Sequence, residues 1–266
     1  MKSKHEMSIL VLSFDGYSDL WPVFFRTKSM FWPSCPYKTR LVSNYLSFNN
    51  IETIQVGKET SWSSRALRAL DCIEEDYVML LLEDYLFADF VDNEKVKDAL
   101  KFMIDNDASY MRIVQIPKSS HKLRGNYLPL YENEEYGINL QASIWKVSFL
   151  RQALMKYSGS PWNFEIGFLS ESVVGTDNPI KNCYVSRFDI IDFKNGVLKG
   201  KWFPSVLKYF SRRGINIDYF DRGKLTIFEE LQYHLRVFVK NNISYSLRKN
   251  LKSILMFFGV KFVSQY

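Results

Sequence analysis

Apolar residues gather along this chain in short runs whose period changes from one run to the next. Ser8–Ser13 (SILVLS) is a continuous β-type run, closed by Asp15 and Gly16. Leu41–Tyr45 has the same character and predicts a second strand. Over Thr60–Glu75 the pattern becomes helical: Leu67, Leu70 and Ile73 recur every three residues, and Ser61 or Ser63 stands where an N-cap is needed. Tyr77–Leu82 is apolar throughout, as in a strand covered on both faces. Asn93–Asp105 predicts a second helix and Tyr110–Ile116 a further strand. Strands and helices in this alternation predict an α/β layer architecture, with a mostly parallel central sheet flanked by helices.

Beyond residue 117 the pattern loosens. Lys118–Asn133 is polar and basic, contains Gly125 and Pro129, and reads as a long exposed loop, a natural lid beside the sheet. Leu140–Trp145 leads into a helix over Lys146–Tyr157, with Val147, Leu150, Leu154 and Met155 as its apolar positions. The cluster Ser158–Gly159–Ser160–Pro161 ends that helix, and PWNFE (Pro161–Glu165) follows at once. Near the C-terminus, Leu247, Leu251, Ile254 and Phe258 trace one helical face, with Arg248, Lys249 and Lys252 largely off it. The expected division is a catalytic domain over residues 1–222 and a basic, amphipathic helical extension over residues 223–266.

Charge sharpens that division. The formal net charge is +6, and from Leu231 to Tyr266 there are six basic residues and no acidic one, which accounts for all of it. The remainder is balanced, which argues against a nucleic-acid groove; the tail predicts either an anionic membrane surface as partner or packing on the catalytic domain or on a second subunit. The three cysteines have no metal-ligand spacing, and their odd number does not make a disulfide framework. With no signal-peptide pattern and no eighteen-residue apolar run, the expectation is a cytoplasmic protein, peripheral on the inner face of the cytoplasmic membrane. No Gly-rich phosphate loop is present, which argues against a P-loop kinase or a dinucleotide enzyme.

Candidate chemistry concentrates in carboxylates. Glu83 and Asp84 follow the apolar run in MLLLEDYLF, where a strand leaves the sheet; either they hold a divalent cation or grip sugar hydroxyls, or the strand end merely turns acidic. Asp15, with Tyr17 beside it, stands at the exit of the first strand, as a ligand for a nucleotide or as an Asp-Gly turn. Glu165 lies among Trp162 and Phe164, surroundings that can hold a carboxylate ready for proton transfer, or that simply place an acid at a helix start. Arg212, Arg213 and Arg222 are candidate phosphate ligands or a solvated surface. Trp145 and Trp162 are candidates for stacking on sugar rings or for the core.

Taken together, SFDGYSDLWPVFF (Ser13–Phe25), SWSSRALRAL (Ser61–Leu70), LLLEDYLF (Leu80–Phe87), LQASIWKVSFL (Leu140–Leu150), SPWNFE (Ser160–Glu165) and NGVLKGKW (Asn195–Trp202) resemble bacterial glycosyltransferases of capsule and lipopolysaccharide gene clusters. That resemblance implies a GT-A-like, Rossmann-type fold, a nucleoside-diphosphate sugar as donor and a glycan or lipid-linked glycan as acceptor. It implies that Asp15 and Tyr17 form the nucleotide end of the donor pocket and that Glu83 and Asp84 occupy the family's acidic strand-end motif; Arg212 and Arg222 are further ligands on the reading of the residues alone. It also implies that Glu165 is the base of an inverting displacement, with Asp84 as the second catalytic acid. Asp84 would hold Mn²⁺ or Mg²⁺; Leu86 stands where a second Asp could be, so a metal-free site using Lys or Arg is the alternative. A sugar nucleotidyltransferase and a non-catalytic carbohydrate-binding protein remain as rival readings.

Overall fold

The computed structural model describes residues 6–58, 61–117, 124–134, 136–170 and 178–242. Its contacts divide the chain into two compact units, Met1–Lys194 and Asn195–Tyr266. In chain order the first unit contains β1 (Met7–Leu12), α1 (Trp21–Phe31), β2 (Thr39–Ser43), β3 (Glu52–Gln55), α2 (Trp62–Leu70), β4 (Tyr77–Leu81), β5 (Tyr85–Phe87) and α3 (Asn93–Asp105). It continues with β6 (Tyr110–Arg112), β7 (Tyr127–Tyr131), β8 (Ser143–Lys146), α4 (Val147–Lys156), α5 (Pro161–Ser170) and β9 (Pro179–Ser186). A strand β10 (Phe193–Asn195) crosses the division, and the second unit has β11 (Val197–Leu198), β12 (Lys201–Trp202), α6 (Pro204–Ser211) and α7 (Ile227–Asn242).

Eight strands form one sheet in the order β3-β2-β1-β4-β8-β6-β9-β7. β3, β2, β1 and β4 run parallel, as do β6 and β9, whereas β8 and β7 are antiparallel to their neighbours. The expected mostly parallel sheet with helices on it is therefore present. β1 and β4 are buried at every position, as their continuous apolar runs require of strands with both faces covered. Leu10, Val78, Leu80, Tyr110 and Trp145 join one core with Ala66, Ala69, Leu154 and Phe164 from α2, α4 and α5. The alternate residues Ile9, Val11, Met79 and Leu81 point to the other face and are equally buried.

Local chemistry sets several ends. Asp92 caps α3 by accepting the Glu94 N–H at 2.9 Å, and this helix has the expected bounds. Ser61 caps α2, accepting the Ser64 N–H at 3.1 Å, but that helix stops at Leu70, so Ile73 packs on the core from beyond it. β6 ends at Arg112 instead of Ile116, and the carbonyl groups of Val114 and Pro117 in the segment that follows accept from the Arg112 side chain instead of from a neighbouring strand. The expected loop over 118–133 is corrected in part: Tyr127–Tyr131 is a strand, with Leu128 and Leu130 inward and pairing to β9. Residues 118–123 of that lid lie outside the described residues, as does the helical face predicted at 247–258.

Candidate functional site

β1 and β4 are adjacent and parallel, so their exits lie side by side at the carboxyl edge of the sheet, where open α/β sheets bind ligands. Glu83, two residues past β4, is only 7% exposed. The Ser13 hydroxyl, at the exit of β1, donates to its carboxyl group, and the Trp21 indole N–H donates to Ser13 Oγ at 2.8 Å. Burial pushes the Glu83 pKa up to about 8, and the neighbouring charge of Asp84 adds to the rise; its own backbone N–H, Ser13 and Arg65 oppose it. Glu83 is therefore a neutral acid at pH 7, and Asp84, half-buried, is the other acid of the pair.

Asp15 is tied to the segment that follows β2. Its carboxylate accepts the backbone N–H of Asn44 (Oδ1, 3.0 Å), Tyr45 (Oδ2, 3.1 Å) and Leu46 (Oδ1, 3.3 Å), while Asn44 Oδ1 takes the Asp15 N–H at 3.3 Å. Asp15 thus fastens the segment after β2 to the exit of β1. Tyr17 packs its ring on Phe14, with centroids 4.8 Å apart, and Phe14 in turn lies 5.1 Å beneath the Arg65 guanidinium.

Arg65 was not among the sequence candidates. It stands in the first turns of α2, near enough to Glu83 to act on its charge, and brings a cation to a rim otherwise occupied by acids. The available signal was SWSSRALRAL itself, a capped helix start carrying an arginine. The same helix start positions α5. Ser63 N–H donates to the Gly159 carbonyl (3.1 Å), and Gly159 N–H donates to Ser63 Oγ (2.8 Å). Gly159 has φ +117°, a backbone state that explains glycine in the breaker cluster. PWNFE then forms the first turn of α5, with Phe164 buried against Trp62 and Trp145.

Glu165 follows Phe164 and meets the sheet through one residue. Its Oε1 accepts the Leu140 N–H at 2.9 Å, and the Leu140 carbonyl accepts the Tyr85 hydroxyl at 3.1 Å. Tyr85 is the residue after Asp84, so the Leu140 peptide groups join the acidic strand exit to the carboxylate of α5. The Tyr85 pKa is raised well above its ordinary value, by burial first and then by Asp84, Glu165 and Glu83 together. All three carboxyl groups are therefore near enough to this buried phenol to act on its charge.

Other candidates separate. Trp145 is fully buried, its indole N–H on Ser143 Oγ at 2.8 Å, so it is core; Trp162 is 53% exposed. Arg212, Arg213 and Arg222 belong to the second unit: Arg212 is exposed at the end of α6 and Arg213 lies 3.6 Å over the Tyr209 ring. For the divalent cation implied at Asp84 the donor set is poor. Leu86 is fully buried, and among the described residues no three His, Cys, Asp or Glu side chains gather. These residues do not by themselves make a metal site.

No family model and no curated protein matches the chain. Among solved structures it is similar to residues 1–349 of TarS from S. aureus, at 13% identity over 92% of this chain and 74% of that one, with a TM-score of 0.47. It is also similar to the galactosyltransferase LgtC in complex with donor and acceptor sugar analogs (13% identity, 64% of this chain and 68% of that one, TM-score 0.39). A third is CMP:2-keto-3-deoxy-manno-octonic acid synthetase complexed with CTP (10% identity, 79% and 100%, TM-score 0.47).

Proposed function

We propose that this chain is a glycosyltransferase that moves a sugar from a nucleoside-diphosphate sugar to a glycan or lipid-linked glycan in bacterial surface polysaccharide synthesis. The observation that supports it is the Leu140 bridge, which ties the Glu165 carboxylate to Tyr85, the residue after Asp84, while Arg65 acts on the charge of Glu83. The donor's diphosphate lies along the β1 and β4 exits. A neutral Glu83 lessens the repulsion that two adjacent carboxylates would exert on it. Asp15 shapes the nucleotide end by holding residues 44–46, with Tyr17 and Phe14 as its apolar side.

The reaction is a single inverting displacement. The acceptor hydroxyl attacks the anomeric carbon as Glu165 takes its proton, and the bond to the diphosphate oxygen breaks with its electron pair leaving on the nucleoside diphosphate. Negative charge grows on that oxygen, so a cation placed beforehand at the rim, Arg65, contributes most there. One Glu165 oxygen is already fixed by the Leu140 N–H, which orients the base without the entropy cost of ordering it at each turnover.

Calorimetry of the intact chain against a panel of nucleoside diphosphates, with and without Mg²⁺ or Mn²⁺, is the deciding experiment. Binding of at least one nucleotide is expected; silence across the panel removes the transferase. Product identity separates the rival chemistry, since a nucleotidyltransferase releases pyrophosphate and a glycosyltransferase a nucleoside diphosphate. Glu165→Gln should keep nucleotide affinity and lose turnover by roughly 10²-fold or more; near-normal turnover transfers the role of base to Asp84.

The second unit supports a place at an anionic membrane. α7 leaves Ile227 (82%), Leu231 (63%) and Phe238 (60%) exposed along successive turns, and from Leu231 onward the chain has only basic charges. Sedimentation with anionic and neutral vesicles tests this: the intact chain should pellet with the anionic ones, and Leu231→Asp with Phe238→Asp should abolish it. Equal recovery in the supernatant of both vesicle types refutes it.

A further inference from the structure

A cavity of about 330 Å³ opens in the first unit away from the strand exits, between α4, α5 and the segment that follows β7. One wall carries the rings of Phe149, Tyr157 and Phe168, none fully buried. Tyr157 and Phe168 have centroids 4.7 Å apart, and Phe149 and Phe168 6.4 Å. Gly167 permits this wall: a Cβ there would come within 2.3 Å of the Tyr157 ring. Opposite stand Glu132 and Glu134, with Gln152 and Lys156 adding an amide and an ammonium group to the lining.

The far wall is built to hold its shape. Arg112, wholly inaccessible to water, donates to the carbonyl groups of Tyr136 (3.1 Å) and Gly137 (2.8 Å), both in the lining segment. Asn139 Nδ2 donates to the same Tyr136 carbonyl at 2.9 Å. The next residue is Leu140, whose N–H holds Glu165, and Phe168 and Leu169 lie one turn after Glu165 on α5. The cavity therefore shares both a loop and a helix with the carboxylate assigned as base.

We propose that this cavity binds one saccharide unit of the acceptor glycan, at a site separate from the donor rim; this deepens the transferase reading and rests on it. The volume lies at the low end of the roughly 300–1,000 Å³ of small-molecule pockets, a size for one sugar ring or two and not for a folded polymer. A pyranose has an apolar C–H face, which partly exposed aromatic rings cover, and a hydroxyl edge, which carboxylate, amide and ammonium groups hydrogen-bond. Two glutamates against one lysine do not favour a phosphate, and four polar side chains in the lining do not favour an alkyl chain.

Saturation-transfer NMR on the intact chain with a panel of methyl glycosides tests the site. At least one glycoside should receive saturation, and Gln152→Trp, an exposed helix position whose new ring fills the cavity, should weaken it tenfold or more. Glu134→Gln should weaken the same glycoside about threefold or more, while nucleoside diphosphate binding by calorimetry stays unchanged in both variants. Absence of transfer to every glycoside, or transfer that survives Gln152→Trp in a folded variant, overturns the proposal. Glycoside binding that is lost in Gln152→Trp, in a chain that binds no nucleotide, keeps the cavity and removes the transferase reading instead.

Discussion

Arg40 and Glu83 are both ionisable, both nearly removed from water, and stand at opposite ends of the same set of parallel strands. At the amino end Arg40 is answered: its Nε donates to Glu52 at 2.9 Å and its Nη1 to Glu75 at 2.9 Å, while Lys38 also reaches Glu52 at 2.7 Å. At the carboxyl end Glu83 has a second acid beside it, a serine hydroxyl above it and Arg65 near enough only to oppose part of its desolvation. One end resolves a buried charge by pairing it, the other by giving Glu83 a proton. The difference marks which edge the fold uses for stability and which carries a perturbed group of the kind that clusters at functional sites.

The first expected effect breaks the paired end. Arg40→Met leaves Glu75 buried without its partner and should lower stability by about 3 kcal/mol, the low end for breaking a buried pair, because Glu52 remains partly in water. Denaturant melts read this, and nucleotide affinity of the folded fraction should not change. A loss below about 1 kcal/mol would make the two ends alike.

Glu83→Gln sharpens the other end. With a folded pKa near 8 against an ordinary 4.5, Glu83 keeps its proton in the folded chain while the unfolded chain releases it. Stability is therefore lost as pH rises from about 4.5 to 8, by at most about 1.4 kcal/mol per pH unit, and the loss levels off above pH 8. The Gln variant should lack this slope, matching the native chain near pH 4 and exceeding it at pH 8. Parallel pH–stability curves for the two proteins would place the Glu83 pKa at its ordinary value.

The smallest effect concerns Arg65. Arg65→Met should weaken nucleoside diphosphate binding about tenfold, the scale of one charge-assisted hydrogen bond, while thermal stability stays close to native. Calorimetry and melting on the same sample check both halves. Unchanged affinity with a large drop in stability would make Arg65 a second Arg40.

Much of the scaffold was legible because its causes are local. α3 has the expected bounds because Asp92 caps its start and the helical period follows at once; β4 reads as buried because all five of its residues are apolar. The acids at 83–84 stood out by contrast with the run before them. β7 was not legible, since Pro129 sits in YLPLY and its strand character comes from pairing with β9 about fifty residues later. Trp145 and Trp162 could not be told apart by residue type. Pairing of Trp145 with Val78 puts the first inside the sheet, and the first turn of α5 leaves the second in water.

By itself the sequence determined the alternation of strands and helices, the acidic exit after Leu82 and the concentration of positive charge after Leu231, because each depends on neighbours within a few residues. Tertiary structure alone decided what those side chains do. The order β2-β1-β4 brought Ser13 and Glu83 together, turning one of two equivalent-looking acids into a neutral one. The contact of α5 with Leu140, twenty-five residues away, decided that the Glu165 carboxylate is held by the residue that also anchors Tyr85. Burial and long-range pairing set the desolvation and hydrogen bonding of an ionisable group. They arise only when distant segments close on one another, so no local pattern of residues contains them.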